Sequence, residues 1–347
     1  MKTYDFDSLK FATEGLTGFG CTVIQDDANL PSFMIPVNKR TNAQLFTGGS
    51  EKTHSAFLVD DVEYKRFLAS KFINCIINGR AYSWPGMDPA AVINFDNSMA
   101  ACNAKGAGWH MLSIPERAVI NHLIHKSDFE PRGNTQYGKN HSYTYEAGEP
   151  TADEGDGSGG RRTTRTATGS GPATWFSDGT REGIADWVGN VWKWCSGMRL
   201  VDGEIQIMNQ NMAAKQVSHA AASTYWKAIL QSGALVDPGT PNTLKINASG
   251  AIATDRGSAA TPSKAFSTLA AASGITIPEI LYELFLAPKS GETYTGNFYA
   301  NTDGERLPLV GGSYYHTSYA GSSALHLLSP RSDVHATVGF FSAFLEL

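Results

Sequence analysis

The chain is poor in the residues that most often announce a chemistry. Its 347 residues hold four cysteines, Cys21, Cys75, Cys102 and Cys195, far apart and with no C-x-x-C pair. That spacing leaves a zinc site and a dithiol redox motif unsupported and predicts reduced thiols packed in the core. No cysteine follows Cys195, so the chain lacks a C-terminal thiol pair of the soft kind that holds Cu(I). No apolar run is long enough to span a bilayer, and Met1 to Lys10 lacks the charged-then-apolar order of a signal peptide. The 28 Lys and Arg stand against 33 Asp and Glu, for a formal net charge of −5. Nothing in that balance draws the whole molecule to nucleic acid or to an anionic membrane. With 41% hydrophobic residues, the sequence reads as a soluble globular protein able to bury a substantial core in one large domain or two.

A local absence is more informative. From Ser313 to Phe344 there is no Lys, Glu, Gln, Met or Trp, although all five occur elsewhere, as at Glu146, Lys193, Trp194 and Gln210. No codon ending in a pyrimidine encodes any of the five. What remains is a frame of Gly311, Gly312, Ala320, Gly321, Pro330, Arg331 and Gly339, with Tyr, His, Ser, Thr and Leu between. Tyrosine brings a large contact area at low rotamer cost, and Ser, His and Thr adapt their hydrogen bonds, so this mixture suits recognition. A C-terminal hairpin with solvated polar residues is the plainer alternative.

Residues 1–61 mix Gly, Asn and Pro with short strand-like runs at Ser32–Val37 and Ser55–Val59, and read as an N-terminal extension or small domain for attachment or assembly. From Val62 come strand-like patches at Tyr64–Ala69 and Phe72–Ile77. The spacing of Phe95, Met99 and Cys102 predicts a helix stopped at Gly106. A second helix is predicted from the capping box of Ser113 and Glu116, with Ile120, Leu123 and Ile124 as its buried stripe. His122 and His125 lie one turn apart on it without a third metal ligand of matching pattern. The stretch from Pro131 to Pro172 is rich in Gly, Thr, Ser and charge and reads as a long surface loop. Its run Asp153-Glu154-Gly155-Asp156-Gly157 offers hard oxygen ligands and leaves calcium open, without the full spacing of an EF-hand loop. Gly183 to Gly197, GIADWVGNVWKWCSG, predicts a core strand entered through a Gly-Asn turn. Met198 to about Arg306 carries one helix opened by Pro278, with Ile277, Ile280, Leu281, Leu284 and Phe285 as its apolar face.

These motifs carry a resemblance. Gly311–Phe344 resembles the variable repeat of proteins diversified by retroelements, whose templates read approximately GGNWNNGSNAG and then ALNLNNPRSNSNNNIGFRSA. In such repeats adenines of asparagine codons are randomised and the final pyrimidine stays, which would account for the five missing residue types. Gly311, Gly312, Ala320, Gly321, Ala324, Leu325, Leu327, Pro330, Arg331, Gly339 and Phe340 match the frame. Ser313, Tyr315, His316, Tyr319, His326, Leu328, Ser329, Ser332, Asp333, His335, Ala336 and Thr337 match template asparagines. Tyr314 replaces a usual Trp and Phe341 a usual Arg. GNVWKW also resembles the GNVWEW motif of the formylglycine-generating-enzyme type of C-type lectin fold, and Gly108 to Glu116 stands where that family has RLPTEAEW. The resemblance implies an α+β chain with a C-type lectin domain over 62–347, an insertion at about 198–306 and a variable region at 311–344. It implies ligand contact by Ser313, Tyr314, Tyr315, His316, Ser318, Tyr319, His326, Leu328, Ser329, Ser332, Asp333, His335, Ala336, Thr337 and Phe341.

Without a C-terminal thiol pair, formylglycine-generating oxidase chemistry is excluded. The acidic and amide cluster around a proline, followed by Trp-Asn-Asp, of calcium-dependent lectins is absent, so a glycan would be met by tyrosine stacking instead. Ser329, Asp333 and His335 lack the nucleophile-elbow pattern around them. The expectation is a non-enzymatic protein without cofactor that binds a protein or glycan receptor, without nucleic acid or membrane insertion. The resemblance implies display on a phage tail or cell surface, with the N-terminal segment serving homo-oligomer formation or virion attachment. Alternatives are a structural or adaptor protein, and an enzyme that uses the Asp/Gly loop and a metal.

Overall fold

The Trp192–Trp194 strand is where the chain is pinned together, and a computed structural model that describes residues 5–347 shows why. The fold is α+β, with mixed sheets and short helices. Trp192–Trp194 is flanked by an antiparallel neighbour, Leu309–Val310, and a parallel one, Val338–Phe340. Leu325–Leu327, Asn297–Ala300 and Ser263–Ala265 complete this six-stranded sheet. The two strand tryptophans share one buried face. Trp194 donates its indole N–H to the Ile93 carbonyl at 3.1 Å, and nearby Trp187 donates to Asn121 Oδ1 at 2.8 Å. Each buries a large apolar area without leaving its one polar group unpaired.

The repeat serves two sheets. After Val338–Phe340 the chain turns at buried Phe341 and forms Ser342–Phe344, which lies between Arg66–Ser70 and Trp109–Met111 in a five-stranded sheet. Ser70 and Ser342 share a hydroxyl hydrogen bond of 2.7 Å inside it. Pro31–Asn38 pairs with Arg66–Ser70 over five registered residues, so the described part of 1–61 is woven into this sheet. A seven-stranded sheet draws every strand from 198–306. The same stretch supplies Asn297–Ala300 to the sheet that carries the repeat.

Several local expectations hold. Phe95–Asn103 and Ile114–Lys126 are helices, and the Ser113–Glu116 capping box is formed in both directions. All four cysteines are free and buried. Others are corrected. Leu123 is 37% exposed, because the helix buries a face that passes through Asn121 and His122 instead. Ser55–Val59 begins as a 3-10 turn capped by the His54 ring, and only Leu58–Val59 is a strand. The helix after Pro278 is a short one, Glu279–Glu283, halted where Phe285 takes a φ of 55°. The Pro131–Pro172 stretch is a surface loop through its middle, where 142–145 and 155–161 are exposed, but its two ends are largely buried. Asn190, fully buried at φ 60°, clamps it by donating to the Thr166 carbonyl at 2.9 Å and accepting from the Thr166 amide at 3.0 Å. The Asn190 amide itself donates to the Asn134 carbonyl at 2.7 Å. The Gly-Asn turn therefore fastens the loop as well as opening the strand, and so supplies a rigid wall beside the repeat.

Candidate ligand-binding face

The repeat's frame residues are held by close approach. Gly312 has φ +86° and a Cβ built on it would stand 2.3 Å from the Ala320 Cβ, so no larger residue fits without moving the backbone. At Gly339 the same atom would meet the Ala90 carbonyl oxygen at 2.7 Å. Arg331 reaches outward from the repeat to three different elements. It pairs with Asp96 at 2.6 Å and with both Glu305 oxygens at 3.1 Å, and donates to the His219 carbonyl at 2.7 Å. These contacts fix where the residues between them can emerge.

What emerges is a belt of rings. Tyr315 stacks on His316 with centroids 4.3 Å apart, and His316 meets Trp192 edge-on at 4.9 Å. Trp192 packs against His326 at 5.2 Å, and His326 against Tyr299 at 5.6 Å. The register Phe298↔Leu325, Tyr299↔His326, Ala300↔Leu327 puts the leucines in the core and His326 with Tyr299 on the opposite side. The Trp192 indole N–H donates to His316 Nε2 at 3.3 Å, which leaves Nδ1 to carry the ring proton and donate to Ser313 Oγ at 2.8 Å. Burial, with His326 beside it, lowers the His316 pKa to about 4, and burial likewise lowers His326 to about 4. Both are neutral near pH 7. Burial, then the nearby Tyr319 and Tyr315, raises the pKa of Tyr299.

The fifteen expected contact residues divide by depth. Tyr315 at 43% and Tyr319 at 53% are exposed, as are Ser318, Ser332 and His335. His316, His326, Leu328, Asp333 and Ala336 are half-buried. Ser313, Tyr314, Ser329, Thr337 and Phe341 are buried, and the expectation of open contact is corrected for each. Ser313 holds His316. Tyr314, expected as an anchor, turns inward against Tyr137 at 5.8 Å, and its carbonyl accepts from the Tyr137 amide. The carbonyl of Ser329 accepts from the Leu307 amide at 2.9 Å. Thr337 bonds His335 Nδ1 at 2.7 Å and also meets Tyr315, joining the two halves of the repeat. Phe341 packs on Trp187 at 5.7 Å, where a guanidinium would have to be buried.

Trp192, read as core, is indeed buried at 3% and backs the belt from beneath. Sequence reasoning missed Tyr299 as part of this face, since it stands in a stretch without a motif. Its one signal is the alternation of Asn297–Ala300, whose Phe298 and Ala300 are buried.

The other candidate chemistries find their groups engaged. Asp153 pairs with Arg161 and Glu154 with Arg162, while Asp156 accepts from the Ser158 and Gly160 amides at 2.8 and 2.9 Å. No group of three or more His, Cys, Asp or Glu among the described residues could hold a metal ion. His122 bonds the Tyr282 and Glu283 carbonyls, and His125 pairs with Glu292 at 3.0 Å. His335 bonds Thr337 through Nδ1, and Ser329 is buried. Among the described residues no helix is long and apolar enough to cross a membrane.

Among solved structures, the chain is similar to the "Major Tropism Determinant U1 Variant", with a TM-score of 0.31 and 11% identity over 91% of this chain and 65% of that one. The chain thus spans just under two thirds of that protein's length. It is similar to the "Major Tropism Determinant M1 Variant" at a TM-score of 0.32 and 11% identity, over 93% of this chain and 71% of that one. It is similar to PvdO from Pseudomonas aeruginosa at a TM-score of 0.35 and 12% identity, over 93% of this chain and 97% of that one. No family model matches the sequence, nor does any curated protein.

Proposed function

We propose that the chain is a non-catalytic recognition protein with a C-type lectin fold of the formylglycine-generating-enzyme type, whose C-terminal repeat displays a diversified surface to a host or neighbouring-cell receptor. The observation that carries this reading is the ring belt of Trp192, His316, Tyr315 and His326, with Tyr319 exposed nearby, set on a frame that cannot accept larger residues. Such a frame keeps backbone and core constant while the displayed side chains are exchanged. Tyr315 and Tyr319 act as aromatic anchors, and His316, His326, Asp333 and His335 supply polar selectivity. Weak single sites gain by avidity when several copies are presented on a phage tail or a cell surface. The protein works without a cofactor, and its N-terminal segment serves attachment or self-association.

Sequencing the 3′ end of this gene across its source population tests the reading. Variation confined to the template-asparagine positions, with Gly312, Pro330, Arg331 and Gly339 constant, is the expected result. A uniform repeat, or variation spread into the frame, would overturn it and leave a structural or adaptor protein.

A further inference from the structure

Beside the ring belt lies a cleft of about 360 Å³ whose lining comes from 130–143, Val188, Thr295 and, from the repeat, Ser318, Ala320 and Gly321. Those three repeat positions align with the fixed S, A and G of the template GGNWNNGSNAG. No diversified position lines the cleft, although Tyr319 stands between two residues that do. The wall is tied to the repeat by the Thr317 amide, which donates to the Thr135 carbonyl at 2.9 Å. Its volume falls within the roughly 300–1,000 Å³ typical of small-ligand clefts.

The chemistry of the lining is specific. Tyr143 is 42% exposed at the cleft, with the Arg132 guanidinium over its ring at 4.1 Å and Tyr145 set nearly at a right angle to it at 6.1 Å. Arg132 is in turn committed to Glu146, with Nε at 3.0 and 3.1 Å from the two carboxylate oxygens. Its charge is thereby balanced within the wall. Glu130 stands at the cleft with both oxygens receiving hydrogens from neutral groups, the Thr295 hydroxyl and the Ser322 amide and hydroxyl. Thr135 Oγ1 and His141 Nδ1, 2.9 Å apart, and Ser318 add groups that both give and accept hydrogen bonds. A half-exposed aromatic ring, hydroxyls and a carboxylate bonded only by neutral groups match a pyranose ring, with its apolar face and vicinal hydroxyls.

We propose that this cleft is a constant subsite for one neutral pyranose unit, which the diversified belt beside it supplements with contacts that differ from copy to copy. The proposal rests on the recognition reading above and names part of its ligand. It divides the task. The cleft supplies affinity for a sugar common to many surfaces, and the belt supplies the choice among them.

The test titrates the full chain with methyl α-mannoside, methyl β-glucoside and methyl N-acetyl-β-glucosaminide, and with glucuronate as the acidic probe, followed by protein-observed NMR. At least one neutral glycoside is expected to bind with a Kd on the order of millimolar. Tyr143→Ala and Ser318→Trp, checked for unchanged melting, are each expected to weaken it about tenfold or more. Tyr143→Trp is expected to keep it. Exchanging Tyr315, Tyr319 and His326 should leave the sugar affinity unchanged. No binding by any neutral glycoside, tighter binding of glucuronate, or sugar affinity that follows the belt residues would each overturn the proposal. Failure of the diversified-face reading looks different: receptor choice would then ignore Tyr315, Tyr319 and His326 while the sugar still binds.

Discussion

Two of the clusters that bring histidines against aromatic rings differ in how deeply their unpaired polar atoms lie. At the seam between the N-terminal segment and the Glu279–Glu283 helix, His54 accepts from the Ala56 amide at Nδ1 (3.1 Å) and so donates from Nε2 to the Glu283 carbonyl at 2.9 Å. Its ring lies 6.3 Å from that of His122, which also stacks near Phe46 at 4.9 Å. Around them Glu283 receives the Ser55 amide and Glu279 the Ser50 amide, both at 2.7 Å. At the ring belt, His326 Nδ1 is buried and has no partner. The seam also holds Asn42 Oδ1, Ser50 Oγ and Ser55 Oγ without partners, but deep among buried residues, whereas the unfilled His326 Nδ1 belongs to a half-buried ring in the belt that carries exposed Tyr315, a position where a ligand can fill it.

Substitution separates the two most sharply. His54→Ala removes a fully buried ring and strands two partners, and should cost about 3 kcal/mol in urea unfolding. His326→Ala should cost under about 1 kcal/mol, since its Nδ1 has nothing to lose, while weakening receptor binding. Equal losses of stability at both sites would erase the distinction.

Acid should act on both clusters. Burial and then His54 lower the His122 pKa to about 3, and burial lowers His219, His316 and His326 to about 4. Each stays neutral in the fold while the unfolded chain takes up a proton below about pH 6.5. Their contribution is therefore full above that pH and lost as pH falls towards 4, at up to about 1.4 kcal/mol per pH unit for each histidine. Asp186 works the other way, because burial raises its pKa to about 6 and folding gains as it protonates. Glu130, raised by burial, and His110, raised in spite of its burial by Glu116, act in the same sense. With four histidines against these three, the net expectation is a stability that drops between pH 6.5 and 4.5, read from urea midpoints. A flat profile over that range would mean that these rings are not held neutral.

The smallest contrast lies within the repeat. Gly312→Ala should cost about 2 kcal/mol or more, because it meets Ala320 and demands a left-handed backbone. Tyr319→Ala, at an exposed position two residues before Gly321, should stay within about 0.5 kcal/mol in thermal melting. If the two were alike, the division into frame and display would fail at its most local point.

Features set by neighbours in the chain were legible in the sequence. The capping box at Ser113, the strand at Trp192–Trp194 and the buried thiols each depend on a few adjacent residues or on composition. The frame of the repeat was legible through its glycines, since a close approach leaves no other choice. The depth of the residues between them was not. Tyr314 and Tyr315 are the same residue side by side, and only the packing of Tyr137 decides which faces inward. Thr337 is buried by partners 22 and two residues away, Tyr315 and His335. The middle of the Pro131–Pro172 stretch is exposed as its polar composition suggested, but its ends are buried because Asn190 meets their polar groups from far along the chain.

Ser342–Phe344 lies downstream of every position that matches a template asparagine and is an inner strand of the five-stranded sheet. A shift of reading frame or a stop inside the repeat would remove this strand and part Arg66–Ser70 from Trp109–Met111. Such a product would lose the centre of that sheet and be open to proteolysis. The fold thus acts as a checkpoint on the repeat, completing itself only when the chain has been read in frame to its last strand.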